Sequence, residues 1–113
     1  LKEQGRADVL TMKDAPQGPV RYYLETSVDT GSAFDRGLIA ASRVAQDDVR
    51  ARETLAELRN GWFAVLAEHY GDDALARTVQ LIGDGLYFDD TTGLAHKRSL
   101  EHVHDVLGRL DAL

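Results

Sequence analysis

The sequence predicts an all-α helical bundle of five to six helices, and three observations carry that prediction. Apolar residues recur three and four positions apart along most of the chain, the spacing of one helix face. No run of β-branched residues alternates cleanly, so strand signals are nearly absent. The breaks between periodic segments are short and hold Gly, Pro, Asp or Ser, as in Ala15-Pro-Gln-Gly-Pro19 and Asp29-Thr-Gly-Ser32. With 113 residues the chain has the length of one domain and can bury a real core.

The most informative stretch is Leu75 to Phe88. Leu75, Val79, Ile82 and Leu86 form one stripe, and Ala74, Leu81 and Phe88 a neighbouring one. So wide an apolar face suits a helix that packs against its own bundle and something else. Gly83 and Gly85 interrupt it, each costing roughly 1 kcal/mol against Ala in a helix interior. Close approach of a backbone or a ligand is one reason for such glycines, and tolerated surface positions are the other. Asp84 between them is either a polar handle or a surface charge.

Taken from the start, Leu1–Lys13 is weakly patterned, with Ala7, Leu10 and Val9 as its apolar side. Pro19 suits the first turn of a second helix, where its missing N–H costs nothing. That helix runs to about Val28, with Tyr23, Leu24, Ser27 and Val28 inward. Ser32 caps a third, short helix, with Asp35 three residues on, and Phe34, Leu38, Ile39 and Ala41 apolar. Asp47 is the expected cap of a long helix reaching Tyr70. On it Leu55, Leu58, Trp62, Val65 or Leu66, and His69 share one face. Asn60-Gly61 reads as a weak point in this helix, because the stripe stays in register across it. Gly71 suits a C-terminal cap and Asp72 or Asp73 the next N-cap. The fifth helix ends near Asp89–Gly93. A last helix starts between Leu94 and Ser99, with Leu100, Val103, Leu107 and Leu110 as a heptad seam.

Composition excludes several functions. Apolar residues make up 43% and charged residues 28%, the profile of a soluble globular chain. The net charge of −6 provides no basic footprint for phosphates, so the chain is not expected to bind nucleic acid by itself. Without cysteine there are no disulfides and no thiolate metal sites. No apolar run approaches a membrane span, and LKEQGRADV is not a signal peptide, so no membrane partner is expected.

Catalytic signals are equally thin. Glu101-x-x-His104 matches half of a di-iron bundle motif, but occurs once. His102 and His104 are two apart and point to different helix faces. No zinc-protease, nucleophile-elbow, Walker or dinucleotide motif is present. We therefore expect no enzyme activity, no metal and no cofactor. What remains is a set of aromatics at helical positions: Tyr22, Tyr23, Phe34, Trp62, Phe63, Tyr70, Tyr87 and Phe88. Core packing explains any one of them. A cavity with apolar walls and few polar groups explains those beside Gly61 or Asp84 and Gly85. On that local chemistry the expected ligand contacts are Tyr23, Phe34, Trp62, Leu66, Asp84, Tyr87 and Phe88.

The order of elements, with Asp84-Gly85-Leu86-Tyr87 on the penultimate helix and Gly93-Leu94 after it, resembles the C-terminal regulatory domain of tetracycline-repressor (TetR) family transcription regulators. The resemblance runs from about Pro16 to the end. It implies a small apolar or amphipathic effector bound inside the bundle. It also implies a homodimer, in which the last two helices of each subunit pair as a four-helix bundle. Here those helices match about Asp73–Phe88 and Leu100–Leu113. The interface would then hold Leu75, Val79, Ile82, Leu86, Leu100, Val103, Leu107 and Leu110. Residues 1–14 would be the end of a helix linking to a DNA-reading helix-turn-helix domain absent from this chain, and 15–113 the regulatory domain. Operator DNA would be contacted only through that other domain, in a cytoplasmic repressor. The chain starts with Leu rather than Met, which suits a fragment or processed product. The competing expectation is a helical protein–protein interaction module with no small-molecule ligand.

Overall fold

Four of the six helices begin where the sequence offers a cap or a proline. The computed structural model describes residues 1–113, with α1 at Lys2–Lys13, α2 at Pro19–Ser27, α3 at Ala33–Val44, α4 at Val49–Tyr70, α5 at Asp73–Thr91 and α6 at Ser99–Asp111. Pro19 occupies the first turn of α2. At α3 the Ser32 hydroxyl accepts the Asp35 amide at 3.1 Å, and the Asp35 carboxylate accepts the Ser32 amide at 3.1 Å, a reciprocal capping box. Asp72 accepts the Leu75 amide at 3.0 Å to start α5. The cap of α4 is Asp48, not Asp47: its carboxylate accepts the Arg50 and Ala51 amides at 2.9 and 3.2 Å. Asp48 has the extended backbone that aims a cap side chain at the helix, while Asp47 lies in the preceding turn.

Helix α4 runs through Asn60-Gly61 unbroken. A methyl group on Gly61 would lie 3.0 Å from Val9 Cγ2, so α1 crosses α4 closely there. Gly71 ends α4 in the left-handed region at φ 64°, which glycine adopts without steric cost.

Helix α4 packs against α1, α3 and α5, and α2 packs against α5 and α6. The main core is Met12, Val20, Tyr23, Leu24, Leu66, Ala76, Val79, Val103 and Leu107. It draws on every helix except α3. Burying one large apolar side chain of this kind contributes about 1.5–3 kcal/mol. The core therefore sits toward the α6 side, and α3 covers the other half of the bundle.

Three expectations need correction. Leu10 is 63% exposed, and α1 instead buries Gly5 and Met12, with Asp8 and Val9 half-buried. Its inward stripe carries a glycine and an acid, so hydrophobicity alone points to the wrong face. His69 is exposed, and the buried stripe of α4 is Leu58 and Leu66. Gly85 faces open space, so close packing does not explain it. No helix is long and apolar enough to cross a membrane.

Candidate functional site

The site is assembled around carboxylates that each anchor a different helix. Asp8 of α1 is the first. The Tyr22 hydroxyl of α2 donates to its Oδ1 at 2.6 Å, and Trp62 Nε1 of α4 donates to its Oδ2 at 2.9 Å. One carboxylate thus ties three helices. Asp84 of α5 is the second. Arg59 of α4 donates to both its oxygens, at 2.6 and 2.8 Å, in the bidentate geometry that fixes a guanidinium against a carboxylate. Asp35 of α3 is the third. Its Oδ2 accepts the Gly31 and Ser32 amides and the Ser32 hydroxyl, and its Oδ1 accepts the Tyr87 hydroxyl of α5 at 3.0 Å.

Gln80 joins α4 to α5 below these groups. It is fully buried, and its Nε2 donates to the Arg59 carbonyl at 2.9 Å. Arg77 donates to its Oε1, and the Tyr23 hydroxyl donates to its backbone carbonyl at 3.4 Å. A buried amide is stable only when satisfied in this way.

Between these anchors lies a cavity of about 390 Å³, within the usual range for small-molecule sites. Its apolar walls come from Phe34, Leu38, Leu55, Tyr23 and Trp62, and the last two rings meet edge to face at 5.9 Å. Thr26, Asp29, Ser32 and Ser42 are exposed and form its polar rim. Gly83 is part of the floor. A methyl group there would overlap the Tyr23 ring, so glycine is what lets that ring lie on the backbone of α5. Burial, reinforced by Asp8, Asp84 and Asp35 respectively, pushes the phenols of Tyr22, Tyr23 and Tyr87 well above the ordinary tyrosine range. They remain neutral hydrogen-bond donors. Its hydrogen bonds to Asp84 hold the Arg59 guanidinium charged more firmly still.

Of the expected ligand contacts, Tyr23, Phe34, Trp62, Asp84 and Tyr87 line this cavity. Leu66 and Phe88 do not. Leu66 lies in the core, one turn beyond Trp62, and Phe88 is 60% exposed, rotated from Tyr87 by one residue's step around α5. Wall residues outside the expected set include Asp8, Tyr22, Asp35, Leu38, Leu55 and Arg59. Asp84 in an apolar segment called for an opposite charge, but 13 Lys and Arg residues were available to supply it. Nothing in the weak pattern of residues 1–13 singled out Asp8.

A family model described as the tetracyclin repressor-like C-terminal domain matches residues 17–113. The chain belongs to this family. No curated protein and no solved structure gives a significant match. Every cavity residue of this tetracyclin repressor-like domain except Asp8 falls inside the matched segment. The residues expected at a subunit interface separate into three groups. Val79, Val103 and Leu107 are 0%, 1% and 3% exposed and belong to the core of the single chain, so their side chains have no surface to offer a partner. Leu75, Ile82, Leu86 and Leu110 are half-buried, and Leu100 is exposed. Ala74, Thr78, Leu81, Gly85 and Phe88 are exposed along one line of α5 that ends at its C-cap residue Thr92, with the exposed Arg77 and Asp89 flanking it. This stripe follows alternating steps of four and three residues and contains no charge.

Proposed function

We propose that this domain is the effector-binding and dimerisation part of a TetR-type transcriptional regulator. The observation that carries the reading is the cavity of about 390 Å³ between α1, α2, α3, α4 and α5, with aromatic walls and convergent polar groups. A small amphipathic effector fits its chemistry. Asp8 links the cavity to α1, so occupancy can bias how α1 sits against α2 and α4. In this reading α1 leads toward a helix-turn-helix domain that reads operator DNA. The net charge of −6 supports a regulatory role for this part rather than a DNA-reading one.

The subunit interface we propose is the uncharged stripe of α5 together with Leu100 of α6, facing a second copy of the chain. A repeat of this period over five turns suits helix–helix pairing, and Ala74, Thr78 and Gly85 are small enough for close approach. It replaces Val79, Val103 and Leu107 in the interface and keeps the two helices that the family resemblance implied.

Thermal denaturation of the purified domain across a library of amphipathic compounds tests the effector reading. Native mass spectrometry of the hits tests it again. A ligand that binds the folded state raises the midpoint in proportion to its affinity. At least one compound should raise it and appear as added mass at one site per chain. If no compound does so while the domain stays dimeric, the second reading holds: a helical interaction module whose aromatics are packing.

A further inference from the structure

The charge inventory of the cavity narrows the ligand further. Its walls carry four carboxylates, Asp8, Asp29, Asp35 and Asp84, against one guanidinium, Arg59. Three negative charges are therefore in excess. Their local roles differ. Asp84 is neutralised by Arg59. Asp35 already accepts four donors and contributes field more than contact. Asp29 sits at the exposed rim. Asp8 remains: it lies inside the cavity wall, and no Lys, Arg or His of the chain pairs with it. Its two donors, Tyr22 and Trp62, are both neutral. A carboxylate offers about four lone-pair positions, so two stay open. The hydrogen bonds to Tyr22 and Trp62 hold it in place without cancelling its charge.

The walls beside Asp8 are the rings of Trp62, Tyr22 and Tyr23. Trp62 and Tyr22 meet Asp8 through their N–H and O–H groups, so their ring bodies extend away from it as walls for the body of a ligand. A fixed uncompensated carboxylate, in a site that already has excess negative charge, selects for positive charge and against negative charge. We infer that the cavity binds an organic cation: an amine or amidine whose charged end sits at Asp8, with an aromatic or aliphatic body along Trp62, Tyr23 and Phe34. This rests on the reading of the cavity as an effector site and names the ligand class for it. It also gives the ligand a direct hold on α1, since Asp8 is the one residue of that helix in the cavity wall.

The test uses three probes that share one aromatic body and differ in charge: naphthylmethylammonium, naphthylmethanol and naphthoate. Each is titrated into the domain by isothermal calorimetry at neutral pH. The cation should bind about ten-fold or more tightly than the neutral alcohol, the scale of one charge-assisted hydrogen bond. Naphthoate should bind weakest. Asp8→Asn removes the charge and keeps one acceptor oxygen, enough for Trp62 Nε1 while the Tyr22 hydroxyl turns to accept from the amide. It should abolish most of the difference between cation and alcohol. Asp29→Asn at the rim provides a second variant with no hydrogen bond to lose, and should reduce cation affinity by a smaller factor. Equal binding of cation and alcohol, or a preference for naphthoate, overturns the charge selection while leaving the effector site standing. Binding by none of the three, together with no hit in the compound library, removes the site itself.

Discussion

Gly83 shows how one missing side chain shapes the site. Tyr23 lies against the bare backbone of α5, and any Cβ at position 83 would collide with its ring. Gly83→Ala should therefore destabilise the domain by about 1–3 kcal/mol, the usual cost of overpacking a filled space, although alanine is the better helix former. Urea denaturation of that variant measures the loss. Tyr23→Leu combined with Gly83→Ala should recover part of it, because the ring is what the methyl meets. A loss no larger in the single variant than helix propensity predicts would show that Tyr23 yields freely. The tyrosines give a second residue-scale prediction. Burial raises the pKa of all four, with Asp8, Asp84, Asp111 and Asp35 adding to it at Tyr22, Tyr23, Tyr70 and Tyr87 in turn. A phenol whose folded pKa is raised contributes stability that is full below its unfolded value, about 10, and is lost as pH rises through the folded values. Stability should thus be flat in this respect up to about pH 10 and fall above it. The phenolate absorbance of the folded protein should lag that of the same chain in denaturant. Coincident titration curves would refute the shifts.

At the scale of the element, an exposed leucine of α5 and a buried leucine of α6 distinguish the proposed interface from the core. Leu81 is 58% exposed and sits in the uncharged stripe, whereas Leu107 of α6 is 3% exposed and belongs to the core. Leu81→Glu should convert a dimer to a monomer in sedimentation velocity with little change in the unfolding of the single chain. Leu107→Glu should unfold the domain, because an unpaired carboxylate in the core costs several kcal/mol. A Leu81→Glu protein that remains dimeric would move the interface elsewhere. This pair also shows what the sequence could and could not reveal. Helical period shows that a stripe is buried, which is why five to six helices and most of their ends were legible from Pro19, Ser32, Gly71 and the leucine spacing, α1 being the weakly patterned one. It does not show what a stripe is buried against. Val103 and Leu107 read as a seam for a second subunit, and they close the seam within their own chain. The cavity was legible where aromatics stood beside glycine or aspartate, at Trp62 and Tyr87. It was not legible at Asp8 or Arg59, whose roles exist only because distant helices bring Tyr22, Trp62 and Asp84 to them.

Across the whole molecule, the core and the cavity lie side by side and share Tyr23, and α3 stands on the cavity side. It provides none of the main core residues, although Leu38 is buried beneath it. Its side chains reach the rest of the bundle by hydrogen bond at one place, where Tyr87 donates to Asp35. The loop before it adds one more tie, from Thr30 to Asp90. An element with few buried apolar contacts opens at lower free energy than the global unfolding of the domain. Residues 33–44 should therefore exchange their amide hydrogens faster than the buried turns of α4 and α5. Tyr87→Phe, which removes the hydroxyl but keeps the ring, should speed that exchange further while leaving α6 unchanged. Phe34 and Leu38 line the cavity, so a ligand bound there should slow exchange in α3 more than in α6, beyond the uniform stabilisation that any binding confers. Hydrogen exchange read by mass spectrometry, with and without a bound compound, resolves these regions. Protection spread evenly over all six helices would mean that α3 is locked into the core and is not the movable wall of the site. Ligand entry would then have to proceed past the exposed rim at Thr26, Asp29 and Ser42 with α3 held in place.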